Sequence, residues 1–368
     1  MKFYFCTMSF FEQIPSLRLR AQHLESQHFT DATELVSYIG ALQAQDFFMV
    51  KWAVGLRLGH GKEKDIEELI DQGKLLRTHL LRPTWHLVSA KDIYWLLDLT
   101  APHIKAAQAG RHRQLGITGA ILTKSHAVIE KALGVSGQLS REELVAELEK
   151  AHIVTNENRA SHLLFMAELD GLICSGKGHG KNSSYALLEE RVPKHGAPLS
   201  REEALAKLTL LYFKSRGPAT LSDYVNWSNL SISEAKKGLA SAKAALVSEK
   251  DKETEYWWDP AHVAQGKEQE GKVHLLPSFD EYLLAYKDRT AVLQDIHQKK
   301  AIGVNGIFWP TIVLDGQVIG IWKRKLGKEK VVVEIQLFKK LTKIEKEAIQ
   351  KETDHYAHFI EMPLEVKF

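Results

Sequence analysis

Two glutamines one residue apart mark the first stretch of this chain that could carry chemistry. Gln43 and Gln45 lie in ALQAQDFF, residues 41–48, and Asp46 follows them directly. A carboxamide offers hydrogen-bond donors and an acceptor without adding charge, so a pair of carboxamides can hold and orient a nucleophilic water. Asp46 could take a proton, stabilise a cation, or cap the helix that follows it.

The backbone between residues 40 and 45 decides whether the two amides can act together. Residues i and i+2 diverge on an α-helix but share one face of an extended segment. The spacing of Leu35, Ile39 and Leu42 predicts a helix before the glutamines, and FFMVKWAVGLRL predicts a second helix after them. We therefore expect a break at residues 40–45 that lets both amides converge. The alternative is that they only satisfy backbone groups at a bend between two helices.

The elements that must position these residues recur along the chain. Three times the sequence places amphipathic helices ahead of a Gly- or polar-tipped pair of short strands, a pattern typical of winged helices. The first copy is DIEELIDQGKLLRTHLLRPTWHLVS. The second begins at LSREELVAELEKA and ends in CSGKGHGKNSSYALLEE. The third begins at PLSREEALAKLTLLYFKSRG and ends in ALVSEKDKETEYWWDP. Ser140 with Glu143, and Ser200 with Glu203, each predict a capping box at a helix start.

The pattern changes after Pro277. FDEYLLAYKDR is followed by TIVLDGQVIGIWKRKL, in which Asp315-Gly316 is a strong hairpin turn, and LTKIEKEAIQKETDHYAHFI predicts a final helix. We expect a mainly α fold with small β wings, in which tandem winged-helix modules precede a small C-terminal α+β unit. The predicted boundaries are 14–118, 119–195 and 196–276 for the winged helices and 277–368 for the C-terminal unit.

Bulk composition excludes several classes of protein. A chain of 368 residues is long enough for several domains, and its 44% hydrophobic and 26% charged content is typical of globular proteins. No apolar run reaches the roughly 18 residues that a membrane span needs, so we expect a cytoplasmic protein. Cys6 and Cys174 lie far apart, which gives a disulfide framework or a structural zinc site little support. His103, His112 and His162 also lack the spacing of a metal site.

Three groups of basic residues are candidates for contacts to nucleic-acid phosphates, which provide affinity irrespective of sequence. They are Arg77, His79 and Arg82 in the first hairpin, Lys177, His179 and Lys181 in GKGHGK, and Lys323, Arg324 and Lys325 at the end of LDGQVIGIWKR. The alternative for each group is an ordinary solvated hairpin, and a net charge of +3 does not decide between the two. GKGHGK is not a phosphate-binding P-loop, because Ser or Thr does not follow a Gly-Lys at the required spacing.

Acidic and aromatic residues offer weaker candidates. Glu281 and Asp288, seven residues apart in FDEYLLAYKDR, share one face of a predicted helix, as a catalytic acid pair would, but we favour a structural role for this segment. In that interpretation Asp280, Lys287, Asp288 and Arg289 lock modules together through ion pairs. Four tryptophans could stack on bases but more often such residues fill cores, namely Trp85, Trp257, Trp258 and Trp309. No lysine lies in a recognisable desolvated setting that would make it a nucleophile.

Several of these segments together resemble one family. The triplet Gln43-Ala44-Gln45, RTHLLRPTWHLV, LLPSFDEYLLAYKDR and LDGQVIGIWKR are similar to the AlkZ/YcaQ-like winged-helix DNA glycosylases, which unhook interstrand crosslinks. The resemblance extends from about Leu17 to Lys325. In that family a Gln-apolar-Gln triplet is the catalytic motif, and Gln43 and Gln45 match it. The resemblance implies a monofunctional glycosylase with tandem winged helices around duplex DNA, without a metal or organic cofactor. We expect a monomer.

The implied reaction has a physical basis of its own. Alkylation at N7 or N3 places positive charge on a purine, which weakens the N-glycosidic bond and makes the base a good leaving group. The sugar then develops oxocarbenium character, and a water oriented by the two glutamines would attack C1′. Two other interpretations of the same modules stay open. One is a non-catalytic winged-helix DNA-binding protein or regulator, and the other is a protein-binding scaffold.

Overall fold

The computed structural model describes residues 9–25, 28–178, 184–194, 196–262 and 271–368. The helices in these ranges are α1 (Phe10–Ala21), α2 (Ala32–Ile39), α3 (Phe47–Leu58), α4 (Glu63–Asp71), α5 (Ile93–Gln114), α6 (Gly119–Ser136), α7 (Arg141–Lys150), α8 (Arg159–Leu169), α9 (Leu188–Arg191), α10 (Arg201–Arg216), α11 (Leu221–Ser228), α12 (Ile232–Ala242), α13 (Glu281–Leu284), α14 (Asp295–Ala301) and α15 (Lys343–Phe359). The strands are β1 (Leu42–Gln43), β2 (Leu75–Leu80), β3 (Thr84–Ser89), β4 (Gln138–Ser140), β5 (Ile173–Ser175), β6 (Ser184–Leu187), β7 (Val247–Asp251), β8 (Thr254–Trp258), β9 (Val273–Leu276), β10 (Thr311–Leu314), β11 (Gln317–Leu326), β12 (Val331–Leu337) and β13 (Leu364–Lys367).

Helix starts follow the capping signals in the sequence. The Ser140 hydroxyl accepts from the backbone N–H of Glu143, whose carboxylate accepts from the Ser140 N–H, and Ser200 with Glu203 forms the same box. These reciprocal bonds satisfy amides that have no partner within the first helical turn. Both predicted capping boxes are confirmed.

Three small antiparallel sheets accompany the helices. Their strand orders are β1-β3-β2, β4-β6-β5 and β7-β8, and each contains one of the predicted hairpins. A mainly helical fold with small sheets is therefore confirmed. The more detailed interpretation of these units as winged helices remains a prediction.

The C-terminal sheet has five strands in the order β13-β12-β11-β10-β9. Its pairs are antiparallel except for β12 with β13, and the turn at Asp315 and Gly316 has φ values of 49° and 79°. The predicted turn and final helix are confirmed, although the chain continues past α15 into β13. The Trp322 indole donates to the Leu276 carbonyl across this sheet at 2.8 Å.

Three larger hydrophobic cores, as seen within the described residues, organise the chain. The first joins α2 and α3 to the C-terminal sheet and α15, so residues far apart in sequence share it. The second joins the β2–β3 hairpin and α5 to α10, α11 and α12, and the third lies among α6, α7, α8 and β5. Ala41 belongs to the second core, whereas Leu42 and Ala44 belong to the first. The glutamine segment therefore runs between two cores. The predicted domain boundaries remain predictions.

None of the helices in the described part of the chain combines the length and the apolar character that crossing a membrane requires.

A buried histidine in the C-terminal sheet makes stability depend on pH. His274 in β9 is 3% exposed, and burial lowers the pKa of its imidazole to about 3. An unfolded histidine titrates near 6.5, so between these values the unfolded chain binds a proton that the native chain does not. The contribution of neutral His274 to the free energy of unfolding is therefore fully present above about pH 6.5. It falls as the pH drops, by at most about 1.4 kcal/mol per pH unit.

Replacement of His274 by leucine should remove this dependence. Between pH 6.5 and 5.0 we expect the free energy of unfolding of the wild type to fall by about 2 kcal/mol relative to His274→Leu. Urea unfolding of both proteins across this range measures the difference. Because both chains share all carboxylates, parallel pH profiles would contradict the assignment.

Candidate active site

The glutamine segment is extended where the sequence predicted a break. Gly40 ends α2 with a φ of 86°, a backbone conformation that favours glycine, and residues 42–43 form β1. The Ala44 N–H donates to the Trp85 carbonyl at 2.7 Å, which continues the pairing with β3. Gln43 is 8% exposed, whereas Gln45 is exposed. The convergence of the two amides on one water remains a prediction.

A buried ion pair occupies the outer edge of β1. The Arg216 guanidinium donates to the carbonyls of Ile39 and Ala41 at 2.7 and 3.0 Å, and the Glu281 carboxylate accepts from the Gln43 N–H at 3.4 Å. Arg216 and Glu281 are themselves paired at 2.7 Å and are 0% and 1% exposed. An edge strand leaves backbone groups without hydrogen-bond partners. Here Glu281 is the partner of the Gln43 N–H, and Arg216 is the partner of the Ile39 and Ala41 carbonyls just ahead of β1. The ion pair therefore sets the backbone path of the glutamine segment.

The start of α13, where Glu281 lies, is held by a second ion pair through the N-cap residue Asp280. Asp280 accepts two hydrogen bonds from the Arg57 guanidinium, both at 2.9 Å, and Arg57 also donates to Gln22 at 2.8 Å. The Trp227 indole donates to Glu281 at 2.9 Å. A bidentate arginine–carboxylate pair adds geometric specificity as well as energy, so residues 280 and 281 are held tightly beneath β1.

Two interpretations of this acidic segment need correction. The helix α13 ends at Leu284, so Glu281 and Asp288 do not share a helical face. The expected ion pair of Asp280 is present, but the other members behave differently. Arg289 donates to backbone carbonyls, and among the described residues neither Lys287 nor Asp288 forms an ion pair. Local turn bonds at Asp288, which accepts from Thr290, compete successfully with the predicted helix.

Arg82 orients the amide of Gln43. Its guanidinium donates to the Gln43 Oε1 at 2.9 Å. Because arginine is only a donor, the carbonyl side of the amide faces Arg82 and the two N–H donors point elsewhere. Burial lowers the pKa of the Arg82 guanidinium and the carboxylate of Glu281 opposes that shift. Gln43 can thus donate to a water and still accept through its second lone pair.

His86 lies directly opposite Gln43 in the sheet. The two residues are partners in the register of β1 with β3, so their side chains share a face. The His86 Nδ1 lies 2.9 Å from the Thr84 carbonyl, so Nδ1 carries the proton and Nε2 is an acceptor. Burial holds the pKa of His86 well below its usual range, and the charge of Arg82 acts in the same direction. The residue opposite Gln43 in the sheet is therefore a neutral imidazole.

Asp46 caps α3. Its Oδ1 accepts from the backbone N–H groups of Phe48 and Met49, both at 3.1 Å, and its Oδ2 accepts from Ser278 at 3.4 Å. The capping role is confirmed. The Arg324 guanidinium lies 3.8 Å from the same carboxylate. An accessory catalytic role for Asp46 remains a prediction.

The first basic group lies around the glutamine segment rather than on a solvated tip. Arg77 donates from Nε to the Ala44 carbonyl at 3.0 Å and stacks its guanidinium 4.2 Å from the Trp85 ring centre. His79 bonds through Nδ1 to the buried Glu168. With Arg82 on Gln43, all three predicted DNA contacts have protein partners. Their contact with DNA remains a prediction.

The third basic group approaches the site from the C-terminal sheet. Arg324 donates to the Tyr356 hydroxyl at 2.9 Å, and Lys325 pairs with Glu334 at 2.6 Å. Lys323 is exposed, with its Nζ 5.1 Å from the Trp309 ring centre. A cavity of about 350 Å³ beside them is lined by Asp46, Phe279, Phe308, Trp309, Lys323 and Arg324. The structure thus brings part of this group next to the glutamine segment.

The second basic group is only partly described. Lys177 is exposed and its backbone N–H donates to Gln138 at 3.1 Å. His179 and Lys181 lie outside the described residues. Of the four tryptophans, Trp257 and Trp258 are core residues, as the structural interpretation expected, whereas Trp85 and Trp309 are half-buried.

Sequence reasoning missed two residues that shape the site. Arg216 ends α10 and His86 lies in β3, and neither spacing nor composition connects them with the glutamines. His86 does lie in the RTHLLRPTWHLV segment that carried part of the resemblance. That segment indicates the family to which the chain is similar, but it does not indicate that His86 lies beside Gln43. Strand pairing brings His86 opposite Gln43, and long-range packing brings Arg216 to the carbonyls of Ile39 and Ala41 just ahead of it.

Comparisons with known proteins agree with this architecture. The sequence model of the family described as "DNA glycosylase AlkZ-like" matches residues 36–359. An interstrand DNA cross-link repair glycosylase of Streptomyces sahachiroi is 23% identical over 360 residues, which are 94% of this chain and 95% of that relative. The solved structure of Streptomyces sahachiroi DNA glycosylase AlkZ superposes with a TM-score of 0.80 at 21% identity, over 96% of this chain and 98% of that one.

The class is that of the DNA glycosylases, which are hydrolases. The chain belongs to the AlkZ-like DNA glycosylase family, because the family model covers most of its length. The predicted family and the predicted enzyme class are both confirmed.

Proposed function

We propose that this protein is a monofunctional glycosylase that hydrolyses the N-glycosidic bond of alkylated purines or interstrand crosslinks in duplex DNA. The observation that carries the proposal is the arrangement around Gln43. Its backbone is held by the Arg216–Glu281 pair and its amide by Arg82, with Gln45 exposed two residues further on. A rigid, uncharged group of this kind is suited to orienting a water.

The proposed mechanism divides the work between the lesion and the protein. The alkylated purine already carries positive charge, so it leaves with little help from a general acid. Gln43 donates from Nε2 to the attacking water and Gln45 accepts from it through Oε1, which directs the water toward C1′ as the sugar becomes oxocarbenium-like. The bond from C1′ to the base nitrogen breaks with both electrons going to the base, which leaves as a neutral molecule. The attacking water loses one proton to bulk solvent as the new C1′–O bond forms. The reaction needs no metal or organic cofactor.

Duplex DNA is the proposed partner of a monomer built from tandem winged helices. We place the phosphate backbone against the exposed Lys323 and Lys177, with Arg324 next to Asp46 at the edge of the site. Lysines that neutralise phosphates provide affinity irrespective of sequence. The name of the similar Streptomyces sahachiroi sequence, an interstrand DNA cross-link repair glycosylase, supports damaged DNA as the substrate class.

A base-release assay tests this function. A duplex with one N7-methylguanine is incubated with the protein and then heated in alkali, which breaks the strand at each abasic site. We expect breaks only after alkali, because a water nucleophile leaves the strand intact, and no covalent complex with borohydride. Salt-sensitive duplex binding without base release would instead indicate a DNA-binding regulator. An unmodified duplex of the same sequence is the control.

Two matched variants separate positioning from DNA contact. In Arg82→Met the Gln43 amide loses the guanidinium that donates to its Oε1, so we expect the single-turnover rate of base release to fall about tenfold. The salt dependence of duplex binding should stay unchanged.

In Lys323→Met the slope of log affinity against log salt should fall by about one, with a normal rate of base release at saturating protein. A reduced salt slope in Arg82→Met would assign Arg82 to a phosphate instead.

A further inference from the structure

The turn formed by residues 302–308, between α14 and β10, is closed by its own hydrogen bonds. The Gly303 N–H donates to the Ile307 carbonyl at 2.8 Å, and the Gly306 N–H donates to the Gly303 carbonyl at 3.0 Å. The first and last residues of the turn pair as an antiparallel bridge. Gly306 has a φ of 72°, a conformation that favours glycine. The 302–308 turn therefore has a well-defined backbone.

The exposed end of the 302–308 turn is apolar. Val304 is more exposed than any other large hydrophobic residue that the structure describes, and Ile307 is exposed as well. The sequence of the turn, IGVNGIF, contains no charged residue. A single exposed valine is common on protein surfaces, so the exposure alone assigns no role. The surroundings of the turn decide which partner it fits.

The 302–308 turn adjoins the glutamine segment. Ile307 and Phe308 line the cavity of about 350 Å³ that Asp46 also lines, and Asp46 directly follows Gln45 in the chain. The turn and the segment that carries the two glutamines therefore meet at one cavity. A partner that reaches Gln45 from this side also reaches the turn.

Exposed cations lie next to the turn. Lys299 and Lys300 are in the last helical turn of α14, shortly before it. A Cβ atom on Gly303 would lie 3.7 Å from the Trp309 Nε1, so the indole of Trp309 packs against the turn. The Nζ of Lys323, proposed above to contact a phosphate, lies 5.1 Å from the ring centre of the same indole. The apolar end of the turn is therefore bordered by positive charge.

A DNA duplex fits this pattern better than a protein partner does. Its two phosphate strands border a groove, and the faces of its stacked bases are apolar. Apolar side chains that enter the minor groove separate neighbouring base pairs, while cations beside them contact the phosphates. A stable protein partner covers roughly 800 Å² on each side, which the apolar part of one turn does not provide.

We propose that the 302–308 turn is a wedge, and that Val304 enters the base stack beside the lesion and holds that step open. This rests on the proposed function, for which it names the group that keeps the damaged nucleotide unstacked. A stacked duplex holds C1′ of the lesion within the helix, whereas the water on the glutamines is fixed to the protein. For the two to meet, the nucleotide has to leave the stack, and a side chain in the vacated space slows its return.

The fluorescence of 2-aminopurine tests the wedge without base release. The probe duplex carries 2-aminopurine next to an N7-methylguanine whose sugar has a 2′-fluorine, which disfavours the oxocarbenium-like state and so blocks hydrolysis. Unstacking raises the emission of 2-aminopurine. At saturating wild-type protein we expect a rise of about threefold, and in Val304→Ser less than about half of that rise. Val304→Leu should keep the rise, and Val135→Ser, at an exposed valine of α6, is the matched control.

Base release tests whether the wedge acts on the reaction. In Val304→Ser the single-turnover rate from a fully paired N7-methylguanine duplex should fall about tenfold. The defect should largely disappear when the lesion lies opposite an abasic analogue, because an unpaired lesion leaves the stack at little cost. A merely structural role of Val304 would lower both rates alike. The side chain of Val304 is fully exposed, so serine at this position should leave the fold intact.

The outcomes separate the wedge from the proposed function. A rise in fluorescence that Val304→Ser reduces, without base release from any duplex, would keep the wedge and remove the glycosylase mechanism. Base release by the wild type, with equal fluorescence in the wild type and Val304→Ser, would overturn the wedge and keep the mechanism. Unchanged emission at saturating wild-type protein would also overturn the wedge, as would an equal loss of rate on both duplexes. Absence of duplex binding would overturn both proposals.

Discussion

Replacement of Gln45 by alanine is expected to lower the single-turnover rate of base release from an N7-methylguanine duplex by about 100-fold or more. The physical reason is loss of orientation, since a water held by one amide samples directions from which it cannot attack C1′. Gln45 is exposed, so its truncation should leave the fold intact. The rate is measured at saturating protein, where changes in duplex affinity do not contribute.

A control and a second variant make this result specific. Gln72→Ala removes an exposed glutamine at the end of α4 and should keep the wild-type rate. Gln43→Ala should lose as much activity as Gln45→Ala, because both amides act on one water, and the double variant should lose little more. Wild-type rates in folded Gln43→Ala and Gln45→Ala would remove the glutamines from the mechanism.

Glu281→Ala is expected to destabilise the protein by about 3–5 kcal/mol. It leaves the Arg216 guanidinium buried without its carboxylate, and breaking a buried ion pair from one side costs this much. The Trp227 indole and the Gln43 N–H lose their acceptor as well. Urea unfolding followed by tryptophan fluorescence measures the change.

A surface pair provides the contrast. Glu334→Ala removes the carboxylate that pairs with Lys325 on the C-terminal sheet, where water replaces the lost partner. We expect its unfolding midpoint to match that of the wild type. If Glu281→Ala unfolds at the same urea concentration as Glu334→Ala, the ion pair does not support β1. Base release by Glu281→Ala under native conditions should also fall, since the backbone of Gln43 is then free to move.

Local signals predicted much of the chain correctly. Ser140 and Ser200 begin helices and Asp315-Gly316 forms a hairpin turn, because capping and turn formation depend on residues within a few positions of each other. The cap at Asp46 is of the same kind. The helix predicted across FDEYLLAYKDR was wrong beyond Leu284, because Asp288 accepts from Thr290 in a local turn and the Lys287 N–H donates to Asp223 of α11.

By itself the sequence determined the family, the succession of helices and hairpins, and the pair of glutamines as the candidate for chemistry. Only the tertiary structure decided which groups surround them. Arg216, Glu281 and His86 come from three separate parts of the chain. Glu281 and His86 reach Gln43, and Arg216 reaches the carbonyls of Ile39 and Ala41 just ahead of it. The spacing of residues in the sequence cannot reveal such contacts, because their partners lie tens to hundreds of residues away and come together only when the chain folds. For the same reason, two members of the first basic group, which the sequence offered as DNA contacts, also bond to the glutamine segment, Arg77 to Ala44 and Arg82 to Gln43.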